Sequence, residues 1–287
     1  MGKPARTTGH LLVRLHDGTH LRHAGHVMSA GVDYAFSPHP SIAALNSAGA
    51  VFVCRYISTL PANDTNGKNL IPAECKALLT AGLKIVVVVE EGAAMMLGGT
   101  ATGKAAAVHA DAVVKALGMP GMPVYFAADF DATPAQQAPI NACLDGAASV
   151  IGRNRTGIYG GFYPVSRALD AGKAAYAWQT PAWSGGQWDP RAQLRQGMTF
   201  TLGGASVDHD TATAADYGQW PRPAVTPPPG TPYRHLTVKG DTIASLAAAR
   251  NMRPESFLAL QATLGADVTA LASGPLPAGT PWLSVNP

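Results

Sequence analysis

The sequence predicts an α/β fold, a (β/α)8 TIM-like barrel with a small β-ribbon as N-terminal extension and a small C-terminal βααβ module. Two observations lead there. Between residues 31 and 215, short apolar runs alternate with Ala- and Leu-rich stretches of helical length, the pattern of parallel strands joined by crossover helices. A stretch dense in proline, from Trp220 to Pro232, then separates that span from a shorter tail, as a stiff extended spacer does. The expected organisation is a ribbon over 1–30, a barrel over 31–219, a linker over 220–232 and a module over 233–287.

In the first 30 residues, Leu11 to Leu15 and Thr19 to His23 flank Asp17-Gly18, a two-residue hairpin signal. Eight strands follow, at Val32 to Phe36, Val51 to Ile57, Lys84 to Val89, Val124 to Phe130, Gly157 to Phe162, Ala175 to Gln179, Gln193 to Gln196 and Ser206 to Asp208. Helices are expected at Ser41 to Ser47, Pro72 to Ala81, Thr102 to Leu117, Pro134 to Ile151 and Pro164 to Ala171. Pro72, Pro134 and Pro164 stand in first turns, and Gly82, Gly152 and Gly172 stand just past the ends, as helix start and stop rules require. The last two helices of an eightfold barrel are expected to be reduced to loops.

Composition narrows the function. Of 287 residues, 47% are hydrophobic and 14% charged, which excludes a disordered chain. A net charge of +3 without a basic run gives no support to a nucleic-acid partner. The densest apolar run, Ile85 to Val89, stops at two glutamates, far short of a membrane span. Cys54, Cys75 and Cys143 form an odd set without CxxC spacing, so buried thiols are expected rather than disulfides or zinc. No cofactor is expected. Gly98 to Ala105 nearly spells a phosphate loop, but alanine replaces its Ser/Thr magnesium ligand. His10, His16, His20, His23 and His26 cluster in the ribbon without Cys or acidic partners beyond Asp17, which suits a surface or interface better than a metal.

Chemistry in such a barrel sits at the C-terminal strand ends. Seven of the 18 acidic residues fall there: Asp33 after strand one, Glu90 and Glu91 ending strand three, Asp129 and Asp131 ending strand four, Asp208 and Asp210 ending strand eight. Acids at strand ends also serve as helix caps, and Asp131 before Thr133-Pro134 can be read that way. A convergent set is what glycoside hydrolysis needs, one acid protonated for the leaving oxygen and one ionised as nucleophile, base or stabiliser. Flat rings that stack on sugars accompany it at Trp178 and Trp183 and at Tyr34, Tyr125 and Tyr159, although such rings also fill cores. Gln179 and Asp210 complete the set expected to hold substrate.

The segments GVDYAFSPHPS, FVCRYIS, VYFAADFDATPAQ, GIYGGFYPV, AYAWQTPAWSGGQWDP and SVDHDTATAADYGQW together resemble a family of glycoside-hydrolase-like domains found in actinobacteria and their phages. That family is similar, at a distance, to the family 25 lysozymes, (β/α)8 muramidases of peptidoglycan with an Asp ending strand one, an Asp-x-Glu motif ending strand four and an Asp closing strand eight. The resemblance implies catalytic roles for Asp33, Asp129, Asp131 and Asp208. Asp131 stands where the lysozymes carry the proton-donating Glu, one methylene short. Glu90 or Glu91 is the alternative acid, and a domain that binds glycan without cutting it is the alternative function.

The tail resembles a LysM module in Leu236 to Ile243, Ser245 to Ala248, Phe257 to Leu260 and Leu276 to Gly279, with Gln261 where the family usually has Asn. The resemblance implies N-acetylglucosamine-containing glycan as ligand, held near Gly240, Asp241 and Thr242. Together the two likenesses imply a wall-degrading protein acting on peptidoglycan glycan strands, as in a phage lysin, or a structural part of a phage tail or contractile injection system docked through residues 1–30. The N-terminus, MGKPARTTGH, lacks the apolar stretch and small-residue cleavage site of a secretory signal. The expected location is therefore the virion, or the host cytoplasm before release to the wall.

Overall fold

The computed structural model describes residues 28–60, 62–222, 232–236, 242–248, 254, 257, 258, 261 and 281–285. The expected hairpin around Asp17-Gly18 lies outside them. The chain divides into two compact units, Met1–Pro223 and Ala224–Pro287.

In the first unit, eight strands close into a barrel in chain order. The elements run β1 (Ser29–Asp33), α1 (Ile42–Ser47), β2 (Phe52–Ile57), α2 (Ala62–Thr65), α3 (Pro72–Thr80), β3 (Lys84–Val89), α4 (Gly99–Ala116), β4 (Val124–Ala128), α5 (Gln137–Ile151), β5 (Thr156–Gly160), α6 (Phe162–Asp170), β6 (Tyr176–Gln179), β7 (Leu194–Leu202) and β8 (Ala205–Ala212). β3 is a run of Ile and Val buried from Ile85 to Val89, as befits a strand covered on both faces. Ser41 starts α1 by accepting from the Ala44 amide at 3.1 Å. The Gly98 to Ala105 stretch forms the start of α4 rather than a loop. A Cβ on Gly103 would lie 1.9 Å from the Cys143 carbonyl oxygen, so this glycine serves the close packing of α4 on α5.

The barrel departs from the expected all-parallel arrangement at its end. β1 to β7 pair in parallel, but β8 is antiparallel to both β7 and β1. The cause is local. Only Gly203-Gly204 joins β7 to β8, with φ of 58° and 87°. A two-residue turn of that conformation makes a hairpin, whereas a parallel return needs about a dozen residues. Both strands also run longer than the sequence suggested, and the reversal places Asp208 opposite Asp33 and Asp210 opposite Gly31.

Side chains alternate between the two sides of each strand. One set fills the barrel interior, including Phe52, Cys54, Val86, Tyr125, Trp178 and Leu194. The other, including Val53, Val87, Phe126 and Ile158, packs with the helices. A Cβ on Gly31 would lie 2.4 Å from the Phe52 ring. Gly31→Ala is expected to cost about 1–3 kcal/mol through overpacking, read as a lowered denaturation midpoint. At the opposite end from the strand C-termini, Trp220 pairs with Ile85 by two backbone bonds of 2.7 and 2.8 Å, and Tyr125 donates to the Tyr217 carbonyl at 2.7 Å. The chain after β8 thus closes the barrel floor.

In the second unit, β9 (Pro232–Leu236) pairs antiparallel with β10 (Pro281–Val285). Thr242 precedes α7 (Ile243–Ala248). The Ser245 amide donates to Thr242 Oγ1 at 3.0 Å and the Thr242 amide to Ser245 Oγ at 2.9 Å, a reciprocal cap. Leu246, Ala247 and Phe257 form a small apolar cluster.

Candidate active site

The strand C-termini gather a polar ring. Stepping by two from the buried interior positions of each strand leads to Asp33 on β1, Tyr56 on β2, Glu90 beyond β3, Asp129 beyond β4, Tyr159 on β5 and Gln196 on β7. Because β8 runs backwards, it contributes Asp208 level with Asp33 and Asp210 one layer deeper.

Asp33, only 2% exposed, is the centre of this ring. Its Oδ1 accepts from Tyr56 Oη at 3.2 Å and its Oδ2 from Gln196 Nε2 at 2.8 Å. The same Nε2 reaches Asp208 Oδ2 at 3.4 Å, and Tyr159 Oη donates to Gln196 Oε1 at 2.8 Å. Burial, with Asp208 adding its charge, pushes the Asp33 carboxyl up to about 7 against the bonds from Gln196, Asp210 and Tyr56. Beneath it, Asp210 is fully buried. Trp178 Nε1 donates to Asp210 Oδ1 at 2.9 Å, while Oδ2 has no protein donor. Burial first and the charge of Asp33 second hold the Asp210 carboxyl well above the usual range.

The sign of the pH effect follows. A carboxyl whose pKa rises on folding stabilises the fold below its unfolded value, and that contribution disappears as pH rises through the folded value. For Asp33 the window runs from 3.8 to about 7. Asp33→Asn is expected to flatten the fall in stability between about pH 5 and about pH 8, as measured by urea midpoints at the two values.

On the other side of the mouth, Glu90 lines a narrow recess with Tyr56, Val88, Ala127, Tyr159 and Trp178. Lys68 Nζ lies 3.1 Å from Glu90 Oε2 and 5.0 Å from the centre of the Tyr56 ring. Burial raises the Glu90 carboxyl, Lys68 opposes that, and Asp129 adds to it. Burial also raises Asp129, again opposed by Lys68. One cation thus acts on two carboxylates from adjacent strands. Beside the ring, a cavity of about 410 Å³ is lined by Asp33, Phe36, Tyr56, Thr199, Ser206 and Asp208, among others. Its size is that of a small-ligand pocket.

The other residues expected at the mouth differ in their surroundings. Glu91, one position out of phase with Glu90, takes the Ser58 hydroxyl at 2.9 Å and the Thr59 amide at 2.8 Å, so it clasps the loop after β2. Tyr34, out of phase with Asp33, donates to Glu74 Oε1 at 3.0 Å and also lines the cavity beside Asp33 and Asp208. Tyr125 belongs to the floor. Gln179, out of phase with Trp178, accepts from the Asp189 amide and donates to the Gln187 carbonyl, both at 2.9 Å, which shapes the β6–β7 loop. Trp178 is wholly buried and acts on the site through Asp210. Trp183 is 40% exposed with φ of 56°, a left-handed conformation uncommon for a bulky side chain. Asp131 is exposed, two residues past Asp129. Gly240 and Asp241 lie outside the described residues, and Thr242 caps α7.

Lys68 and Gln196 were not legible as site residues. Gln196 keeps phase with Leu194 and could have been found by alternation. Lys68 comes from the loop before α3, where no periodicity points at the mouth. A buried ion pair supports that loop: Arg55, 0% exposed on its side chain, places Nε 2.8 Å from Glu74 Oε1 and donates to the Gly67 carbonyl at 3.0 Å, next to Lys68. Among the described residues, no group of His, Cys, Asp and Glu is arranged to hold a metal ion.

The model of the Rv2525c-like, glycoside hydrolase-like domain matches residues 43–212. The chain belongs to this family. A relative in Mycobacterium tuberculosis H37Rv, named "Putative peptidoglycan hydrolase Rv2525c", is 31% identical over 202 residues, spanning 66% of this chain and 82% of the relative. Crystal structures of the M. tuberculosis Tat-secreted protein Rv2525c, bound to HEPES and to L-tartrate, superpose with TM-scores of 0.62 and 0.61, each at 31% identity and covering 67% of this chain and 98% of the other. The Tat secretion of that protein overturns the expected virion or host-cytoplasm location. That expectation rested on the first ten residues of the sequence alone. This glycoside hydrolase-like domain carries Asp33, Glu90, Asp129 and Asp208 at one mouth of its barrel.

Proposed function

We propose that the barrel mouth cleaves the glycan of peptidoglycan, with Glu90 as the general acid, Asp129 as its ionised partner, and Asp33 and Asp208 holding the sugar. The observation that carries this reading is the placement of Glu90 and Asp129 just past the ends of two adjacent strands, close enough for the charge of Asp129 to act on Glu90. Burial raises both carboxyls and Lys68 opposes it at both, while the charge of Asp129 raises Glu90 in addition. A carboxyl raised by burial stays protonated for the leaving oxygen, while its neighbour serves as base or nucleophile. The name of the mycobacterial relative supports peptidoglycan as substrate, and its Tat secretion supports an exported protein. Residues 233–287 would tether the barrel to wall glycan as a LysM module, which raises the local substrate concentration to the order of millimolar for a short linker.

A second reading has one observation in its favour. The Lys68–Glu90 ion pair neutralises the proposed acid, which suits a mouth that binds glycan without cutting it. Incubating the purified chain with peptidoglycan sacculi separates the two. Release of reducing ends together with co-sedimentation supports cleavage, and co-sedimentation without release supports binding alone.

A further inference from the structure

Away from the barrel mouth, a cavity of about 250 Å³ opens between the loop after β2, the start of α3 and the outer side of α4. Ile57, Leu70 and Val113 give it apolar walls, and Asn69 and His109 give it polar ones. Its hydroxyls are already committed. Ser58 Oγ donates to Glu91 and accepts from the Leu60 amide and Asn63 Nδ2, at 2.9, 3.1 and 3.0 Å, and Thr59 Oγ1 donates to Glu91 at 2.7 Å.

Two buried polar atoms in the lining, Asn69 Oδ1 and His109 Nε2, have no partner among the described residues. Asn69 is only 8% exposed. Its amide cannot be turned round, because Nδ2 donates to the Ser58 carbonyl at 3.1 Å and to Asp64 Oδ1 at 2.7 Å, and both of these only accept. Oδ1 therefore needs a donor from outside the chain, since a buried acceptor left unpaired costs about 1–3 kcal/mol. His109 Nε2, in the tautomer that carries the proton there, needs an acceptor.

A secondary amide that ends in a methyl group meets all three demands. Such a group offers an N–H to Asn69 Oδ1, a carbonyl to His109 Nε2 and a methyl to the apolar wall. We propose that this cavity is a second carbohydrate site, one that takes the acetamido group of an N-acetylated amino sugar. The volume lies below the roughly 300–1,000 Å³ of drug-sized pockets, which suits one sugar unit. The site is separate from the mouth and does not depend on whether the mouth cleaves glycan.

The test follows the His109 side-chain nitrogen by ¹⁵N NMR in the full chain, titrated in parallel with N-acetylglucosamine, glucose and N-acetylalanine amide. The expected result is a saturable shift of Nε2 with N-acetylglucosamine and none with glucose, since a site built around an amide rejects an analogue that lacks it. Val113→Phe, which fills the cavity, is expected to weaken the response at least about tenfold, equivalent to about 1.4 kcal/mol. Ile71→Trp, at an exposed lining residue, serves the same purpose if the first variant fails to fold. No response at Nε2, an equal response to glucose, a response only to the peptide amide, or an unchanged response in the folded filled variants would overturn the proposal.

Discussion

Glu90→Gln is expected to lower the release of reducing ends from peptidoglycan by about 10²–10⁴-fold, the usual contribution of a positioned acid. The substitution keeps the shape of a side chain that lines the recess with Tyr56, Tyr159 and Trp178, so its effect falls on the proton rather than on packing. Glu90 has the position and the environment for the task. It keeps phase with Val86 and Val88, is partly buried, and has its carboxyl raised by burial and by Asp129. Asp131, which the lysozyme resemblance favours, is exposed in the loop that leads to the Thr133 cap. Asp131→Asn is accordingly expected to retain most of the activity. Reducing-end assays on the two variants rank them directly, and the reverse order would move the acid to Asp131.

Glu74→Ala is expected to destabilise the barrel unit by about 3–5 kcal/mol, because it strands a buried charge. The Arg55 guanidinium is enclosed, with Glu74 as its carboxylate partner and the Tyr34 and Gly67 carbonyls as its other acceptors. His39 Nδ1 lies 3.2 Å from the same Glu74 oxygen. Removing the carboxylate leaves Arg55 charged and uncompensated, since guanidinium does not give up its proton. The loss should appear in urea denaturation. Because Arg55 also holds the Gly67 carbonyl beside Lys68, any folded remainder is expected to show weaker glycan binding in co-sedimentation.

The legible part of this molecule was whatever depends on periodicity. The β3 run of Ile and Val, the helix starts at Pro72 and Ser41, and the carboxylates at strand ends all follow from local pattern. The direction of β8 was missed although its cause, Gly203-Gly204, stands in the sequence. Gly203-Gly204 is itself a hairpin signal, which the expectation of a continued βα repeat did not include. Among adjacent residues, alternation separates Glu90 from Glu91 and Trp178 from Gln179 once the interior phase of each strand is fixed by its apolar residues. The fate of Tyr125 is different in kind. It has the right phase but stands at the start of its strand, so it reaches the floor rather than the mouth. Lys68 and the Arg55–Glu74 pair could not be read in advance, because both depend on how a loop without periodicity folds back over β2.

The central claim, that this mouth cuts glycan with paired carboxylates, is tested most directly by mass spectrometry of the fragments released from mycobacterial peptidoglycan by the purified chain and by its Asp129→Asn variant. The account predicts soluble muropeptides with new reducing sugar ends from the parent chain and their loss in the variant, while both proteins still sediment with the wall. Fragments released equally by both, or no fragments from a parent chain that binds the wall, would contradict it.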